Sequence, residues 1–228
     1  MREVISDSTI QILKNFASIN SNIVIDEGSS IRTISEAKNI LAKAEVEQTF
    51  PQRFGIYDLS EFLGVLGLVD TPVLDFSGDY VTIGDSTGRS NIKYFFSDPD
   101  MLTTSSKDVK MPEGDAKFRL DIDTLNKLKR AASALGHSEL IIESSDDDGL
   151  AKLTVTTTDN STANTFSIDI PVEENVNKYK FVYNINNLKI LTGNYDVEIS
   201  SKLISKLTNT ESKLQYWIAL EKTSTYGE

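Results

Sequence analysis

Cysteine is absent from this chain of 228 residues, which removes disulfides, thiolate nucleophiles and zinc–thiolate sites together. Histidine occurs once, as His137 directly after Gly136. A catalytic triad or a histidine metal centre needs its imidazole in a pocket with partners, whereas a helix end is an ordinary place for a solvated one. Neither GxxxxGK[ST] nor GxGxxG is present, so a nucleotide cradle has no sequence support. Ser144, Asp146 and Asp148 ahead of Gly149 imitate the start of a calcium loop. Its last ligand position would then be Val155, where a bidentate glutamate is required. A hairpin turn explains that acidic run better. The expectation is a protein without catalytic residues, metal or cofactor, and not an enzyme.

Long apolar runs are missing too. None approaches the roughly 18 residues of a membrane span, and "MREVISDSTIQILKNF" has no apolar block ahead of a small-residue cleavage site, so neither membrane insertion nor a signal peptide is expected. Cations are scarce: 23 Lys and Arg stand against 34 Asp and Glu, a net charge of −11. Such an excess keeps a protein soluble and discourages indiscriminate contact with nucleic acid. Hydrophobic content of 39% is ordinary for a globular protein, and the length suits one large domain or two of about 110 residues.

What the chain does have is a repeat. "IYDLSEFLGVLGLV", "FRLDIDTLNKLKRAASAL" and "FVYNINNLKIL" each place Asp or Asn between an extended apolar stretch and an amphipathic helical pattern, at Asp58, Asp121 and Asn184. The two spacings are equal at 63 residues. An Asx side chain at that place accepts from the first-turn amides of the adjoining helix, and Glu61 adds the reciprocal half of a capping box. Ser6 and Asp7 open an earlier, looser member, "STIQILKNFASIN", so four helices are predicted. Between them, alternating apolar residues joined by Ser-Gly-Asp and Asp-Asp-Gly turns read as hairpins. The fold class is α+β with two similar halves: residues 1–97, a connector over 98–114 holding two of the five prolines, and residues 115–228. Gly64 and Gly67 inside the second helix cost helix stability, which points to close packing or close approach there.

Charge is unevenly placed on these helices. At about 3.6 residues per turn, Leu125, Leu128, Ala132 and Leu135 form the buried stripe of the third helix. Lys127 and Arg130 then lie opposite, with Lys129 on the flank. In the first helix Ile10, Leu13 and Ala17 are expected inside, leaving Gln11, Asn15 and Ser18 outward with Lys14 beside them. In the fourth, Lys189 joins Asn186 on the polar side of Leu188 and Leu191. The second helix carries no cation on its polar side. A solvated face explains each helix singly. Together, these faces escape the acidic excess of the chain.

"ILKNFASIN", "IYDLSEFLGVLGLV", "GNYDVEIS" and the closing "YWIALE" resemble the DNA polymerase sliding clamp of T-even-type tailed bacteriophages, nearly end to end. The resemblance implies a clamp fold with helices on one face of antiparallel sheets. It further implies a homotrimeric ring whose helices line a hole for double-stranded DNA, held without sequence preference. Lys14, Lys127, Lys129, Arg130 and Lys189 would then face phosphate, while the acidic exterior repels DNA. By the same analogy Tyr94, Phe95 and Phe96 on residues 91–96 would meet Phe166 on residues 163–170 of the next subunit. Met101, Leu102 and Leu220 would lie in a pocket for partner peptides. The implied partners are the DNA polymerase, an ATP-dependent clamp loader and transcription factors of late viral genes, in the cytoplasm of an infected bacterial host. The rival reading is a β-rich viral scaffold protein that does not encircle DNA. An enzyme is more remote still.

Overall fold

The computed structural model describes residues 2–85, 87–104, 109–145, 149–157, 162–173 and 177–227, and the chain divides into two units, Met1–Asp108 and Val109–Glu228. The first contains β1 (Arg2–Val4), α1 (Asp7–Ile19), β2 (Ile23–Ile25), β3 (Gly28–Ile34), β4 (Ile40–Phe50), β5 (Phe54–Ile56), α2 (Leu59–Leu66), β6 (Val73–Ser77), β7 (Tyr80–Gly84) and β8 (Asn91–Phe95). The second contains β9 (Ala116–Leu120), α3 (Ile122–Leu135), β10 (Glu139–Ser144), β11 (Leu150–Thr156), β12 (Phe166–Pro171), β13 (Tyr179–Asn184), β14 (Tyr195–Ser200), β15 (Ile204–Asn209), β16 (Leu214–Ala219) and β17 (Thr225–Tyr226).

Among the described residues the strands of each unit pair antiparallel. In the first unit β1, β6, β7 and β8 lie in that order, while β3 pairs with β4 and β2 with β5. In the second, one sheet runs β12, β11, β10, β13, β17, and β9, β14, β15 and β16 pair successively. The β10–β11 hairpin closes with Ser145 N–H donating to the Leu150 carbonyl at 3.1 Å. Asp146, Asp147 and Asp148, read from the sequence as its turn, lie outside the described residues.

The predicted caps act as caps. Ser6 accepts from Thr9 N–H, Asp58 from Glu61 N–H at 2.9 Å, and Asp121 from Thr124 N–H at 2.8 Å. Two expectations about the helices are overturned. In α1 the buried stripe is Thr9, Ile12, Leu13, Phe16 and Ile19, with Ile10 and Ala17 only half-buried. The fully buried Phe16 ring sets the phase, and Thr9 is admitted to the core because its hydroxyl donates to Gln48 Oε1. Gln48 in turn donates to the Val4 carbonyl at 3.1 Å, so the buried polar groups are satisfied.

The fourth helix does not form. Asn184 accepts from Asn186 N–H at 3.0 Å, but the element it caps is only a three-residue 3-10 turn, Ile185–Asn187. Ile185, Leu188 and Ile190 are all buried. On a helix Ile190 would point about 140° away from Ile185, so burying all three requires the chain to leave the helical path. Leu191 completes the diversion: its N–H donates to Tyr216 Oη at 3.0 Å and its carbonyl accepts from Tyr195 Oη at 2.5 Å. Those tyrosines stand on β16 and β14, and they take the backbone groups a helix would have used.

Candidate nucleic-acid interface

α1 packs on β3, β4 and α2, α2 also sets Phe62 against Tyr94 of β8, α3 packs on β11, and each helix leaves one face to solvent. On α1 the exposed residues include Ser8, Gln11, Lys14 and Ser18; on α2, Ser60, Glu61 and Gly64; on α3, Lys127, Arg130 and Ser133. The acids of the three helices are Asp7, Glu61 and Asp123, each in a first turn. There the helix dipole and the free amides favour negative charge. Past the first turn the helices carry cations and neutral residues only, in a chain of net charge −11.

The α3 N-terminus is held by a carboxylate that accepts twice. Thr124 donates to Asp121 from both its N–H, at 2.8 Å, and its hydroxyl, at 2.9 Å. The Thr124 amide, helped by that hydroxyl and opposed by partial burial, draws the Asp121 carboxyl below its usual range. At the other end Gly136 takes a left-handed conformation, φ 67°, and His137 Nε2 lies 2.7 Å from the Asn164 carbonyl.

The five cations expected at phosphate do not share one environment. Lys14, Lys127 and Arg130 are exposed on helix faces. Lys189 is exposed too, but on the irregular segment that follows the 3-10 turn in place of the fourth helix. Lys129 is turned inward: its ammonium donates to the Ile190 carbonyl at 3.4 Å, and burial pushes its pKa down. It lines a cavity of about 530 Å³ with Ala132, Ser133, His137, Asn186 and Leu188, beside the segment that failed to become helical. Gly64, expected at a close approach, has nothing within 4 Å of where a Cβ would sit. Sequence reading missed the exposed apolar residues flanking α2, Tyr57 and Leu68; both lie outside the helical stripe, where periodicity carries no signal.

The strands expected at a subunit interface are sheet edges. β8 closes one end of the first unit's sheet and β12 one end of the second unit's. Their residues alternate in direction. On β8, Ile92 and Tyr94 lie opposite the buried Ile83 and Val81 of β7, and the Tyr94 ring packs edge-on against Phe62 of α2 at 5.1 Å. Burial, with Glu61 and Asp58 nearby, pushes the Tyr94 hydroxyl pKa up. Phe95 points to the other face and is 63% exposed. Phe96 is half-buried, its ring 4.6 Å from Phe54 and 6.2 Å from Phe76 in the aromatic cluster of the first unit. Phe166 of β12 is half-buried, opposite Val155 of β11.

The expected peptide-pocket residues are equally divided. Met101 is 85% exposed. Leu102 is half-buried against β5, where a Cβ on Gly55 would meet its Cδ1 at 2.7 Å. Leu220 is buried, with its N–H donating to the Leu203 carbonyl at 3.0 Å, so its side chain serves the core instead of an accessible pocket. Among the described residues no helix is long and apolar enough to cross a membrane.

Known proteins share this architecture. A family model described as DNA polymerase processivity factor matches residues 6–95, and one described as gp45 sliding clamp, C terminal, matches residues 117–222. The chain is 33% identical to the sliding clamp of Vibrio phage KVP40, covering 95% of this chain and 98% of that protein. It is 28% identical to the sliding clamp of Escherichia phage RB69, covering 97% and 98%. Among solved structures, PCNA from Thermococcus kodakaraensis superposes with a TM-score of 0.73 at 15% identity, covering 97% of this chain and 100% of that one. PCNA from Entamoeba histolytica gives 0.69 at 14%, covering 93% and 94%. At such identities the structural likeness speaks for the fold alone.

Proposed function

The chain belongs to the sliding clamp family of T4-like phages, the DNA polymerase processivity factors, and from that premise we propose that three copies close into a ring around duplex DNA. The observation that carries this reading is the pairing of two features. Helix faces lose their acids past the first turn, and each unit ends in an unshared strand edge, β8 or β12. In the ring, β8 of one copy adds to β12 of the next. Such a contact is heterologous, and repetition of it closes when the rotation is right.

Lys14, Lys127, Arg130 and Lys189 meet the phosphates, and Lys129 acts one step back by fixing the Ile190 segment beside α3. Few contacts are sufficient. An enclosed duplex cannot leave without ring opening, so affinity is supplied by topology, and strong phosphate binding would hinder sliding. At physiological salt the screening length is about 8 Å, so these cations act locally although the molecule as a whole repels DNA. The polymerase, tethered to the ring, stays near the primer end at high effective concentration. An ATP-dependent loader to open the ring and late-transcription factors are further partners of this reading, within the cytoplasm of an infected bacterium. Met101, exposed in the first unit, remains our candidate for partner contact.

Two measurements test it. Light scattering over a concentration series should approach three chains of 25.3 kDa. Chains loaded on DNA should be retained on circles and lost from linear molecules by sliding off the ends. Equal retention on both forms refutes encirclement.

A further inference from the structure

We infer that Lys93 on one sheet edge and Asp169 on the other form a charge pair across each joint, and that this pair selects head-to-tail closure over two-fold pairing of copies. The inference rests on the ring reading above and adds its polarity and register.

Consider the two edges face by face. On β8 the helix side is Ile92 and Tyr94, the latter against Phe62 of α2. On β12 it is Phe166, Ile168 and Ile170, which stand opposite Val155, Leu153 and Ala151 on the buried face of β11. The opposite faces carry Lys93 and Phe95 on β8, and Ser167 and Asp169 on β12, all exposed. When two edges join with their helices on the same side, side-chain alternation forces apolar residues to meet on the helix face. Lys93 and Asp169 are thereby confined to the other face. Directly opposite or one diagonal place apart, a lysine reaches a carboxylate across such a ladder.

Lys93 keeps to this face of β8. Its ammonium lies 3.8 Å from the centroid of the Tyr80 ring on β7 and 4.7 Å from that of Phe95, and a rotation of its flexible stem carries it from Tyr80 to the open edge. Within its own sheet Asp169 stands opposite Lys152 of β11, and the Lys93 of a second copy approaches it from the vacant side. The joint then alternates positive, negative, positive across three strands.

The same placement works against the wrong assemblies. Lys93 is the middle residue of β8, so two β8 edges brought together antiparallel set lysine against lysine. Two β12 edges set Asp169 near Asp169. Only the mixed joint brings opposite charges together, and a mixed joint is the kind that makes rings. In copies that each carry −11, local attraction at the joint also offsets the general repulsion.

The test is a charge swap in the full chain, with assembly measured by sedimentation over a concentration series and folding checked by circular dichroism. Lys93→Glu and Asp169→Lys should each raise the concentration for half-assembly by about tenfold. The double variant should recover most of that loss. Raising salt should weaken wild-type assembly and strengthen that of Lys93→Glu, because screening removes attraction in one and repulsion in the other. If the wild type forms trimers but the two effects simply add, the pairing is wrong and the ring reading stands. If the wild type never exceeds a monomer, the ring reading falls and the pairing falls with it.

Discussion

Replacing Asp121 by alanine tests whether one carboxylate holds α3 in place. Asp121 accepts at 2.8 Å from Thr124 N–H and at 2.9 Å from its hydroxyl, and it stands where the α3 dipole favours an anion. Cap removal costs about 0.5–2 kcal/mol. With two donors and a charge, the upper half of that range applies, discounted because the group is exposed and screened; we expect about 1–1.5 kcal/mol. Trp217, the single tryptophan, is buried on β16 of the same unit, so its fluorescence reports the unfolding of this unit. With a urea slope of about 1.5–2 kcal/mol per molar, the midpoint should fall by roughly 0.5–1 M. The pH dependence has a definite sign. The folded pKa is depressed, so the stabilisation is complete above the unfolded value of about 3.9. It is lost as pH falls through the still lower folded value. The gap between wild type and variant should therefore be constant from pH 7 to about 5 and shrink below about 4. Asp121→Asn, which keeps an accepting oxygen, should lose less than the alanine variant. A Trp217 transition unmoved by Asp121→Ala, or a gap that widens in acid, would refute the reasoning.

Lys127→Ala and Arg130→Ala should each lower the slope of log affinity for duplex DNA against log salt by up to about 0.9, measured by equilibrium titration across a salt series, with thermal stability unchanged. Lys129→Ala should do the reverse, leaving the slope alone and costing about 1 kcal/mol through lost packing and the lost bond to the Ile190 carbonyl. Gly64→Ala should stabilise the first unit by about 0.5–1 kcal/mol in thermal unfolding, since the position is helical and exposed with nothing within 4 Å of the added methyl. Destabilisation there would show that the helix needs glycine for a reason internal to the fold.

Much of this architecture could be read from short-range patterns. Ser6, Asp58, Asp121 and Asn184 each accept from an amide two or three residues on, which makes caps visible in a few consecutive letters. The exposed faces of Lys127 and Arg130 came from helical period, because the stripe of α3 is unambiguous, whereas Lys14 is exposed on α1 although the stripe there was misplaced. What short-range patterns did not show has non-local causes. Phe96 continues the alternation of an edge strand yet belongs to a cluster with Phe54 and Phe76, residues from other strands. Lys129 already sits on the flank of the α3 stripe, and what turns it inward is the Ile190 carbonyl some sixty positions away. Leu220 reads like any closing-strand leucine, and only packing reveals that it is buried.

By itself the sequence determined where α1, α2 and α3 begin, which of their faces are free of acid past the first turn, and that the chain has no thiolate. These depend on chemistry between neighbours in the chain. Only the tertiary structure decided how far a helix runs and which strand edges are left unshared. The segment after Asn184 has a cap and an apolar pattern suited to a helix, yet Tyr195 and Tyr216 bind the backbone of Leu191 and draw it away. A hydrogen bond to a distant side chain competes with the helical one on equal terms, and no local pattern records which of them wins.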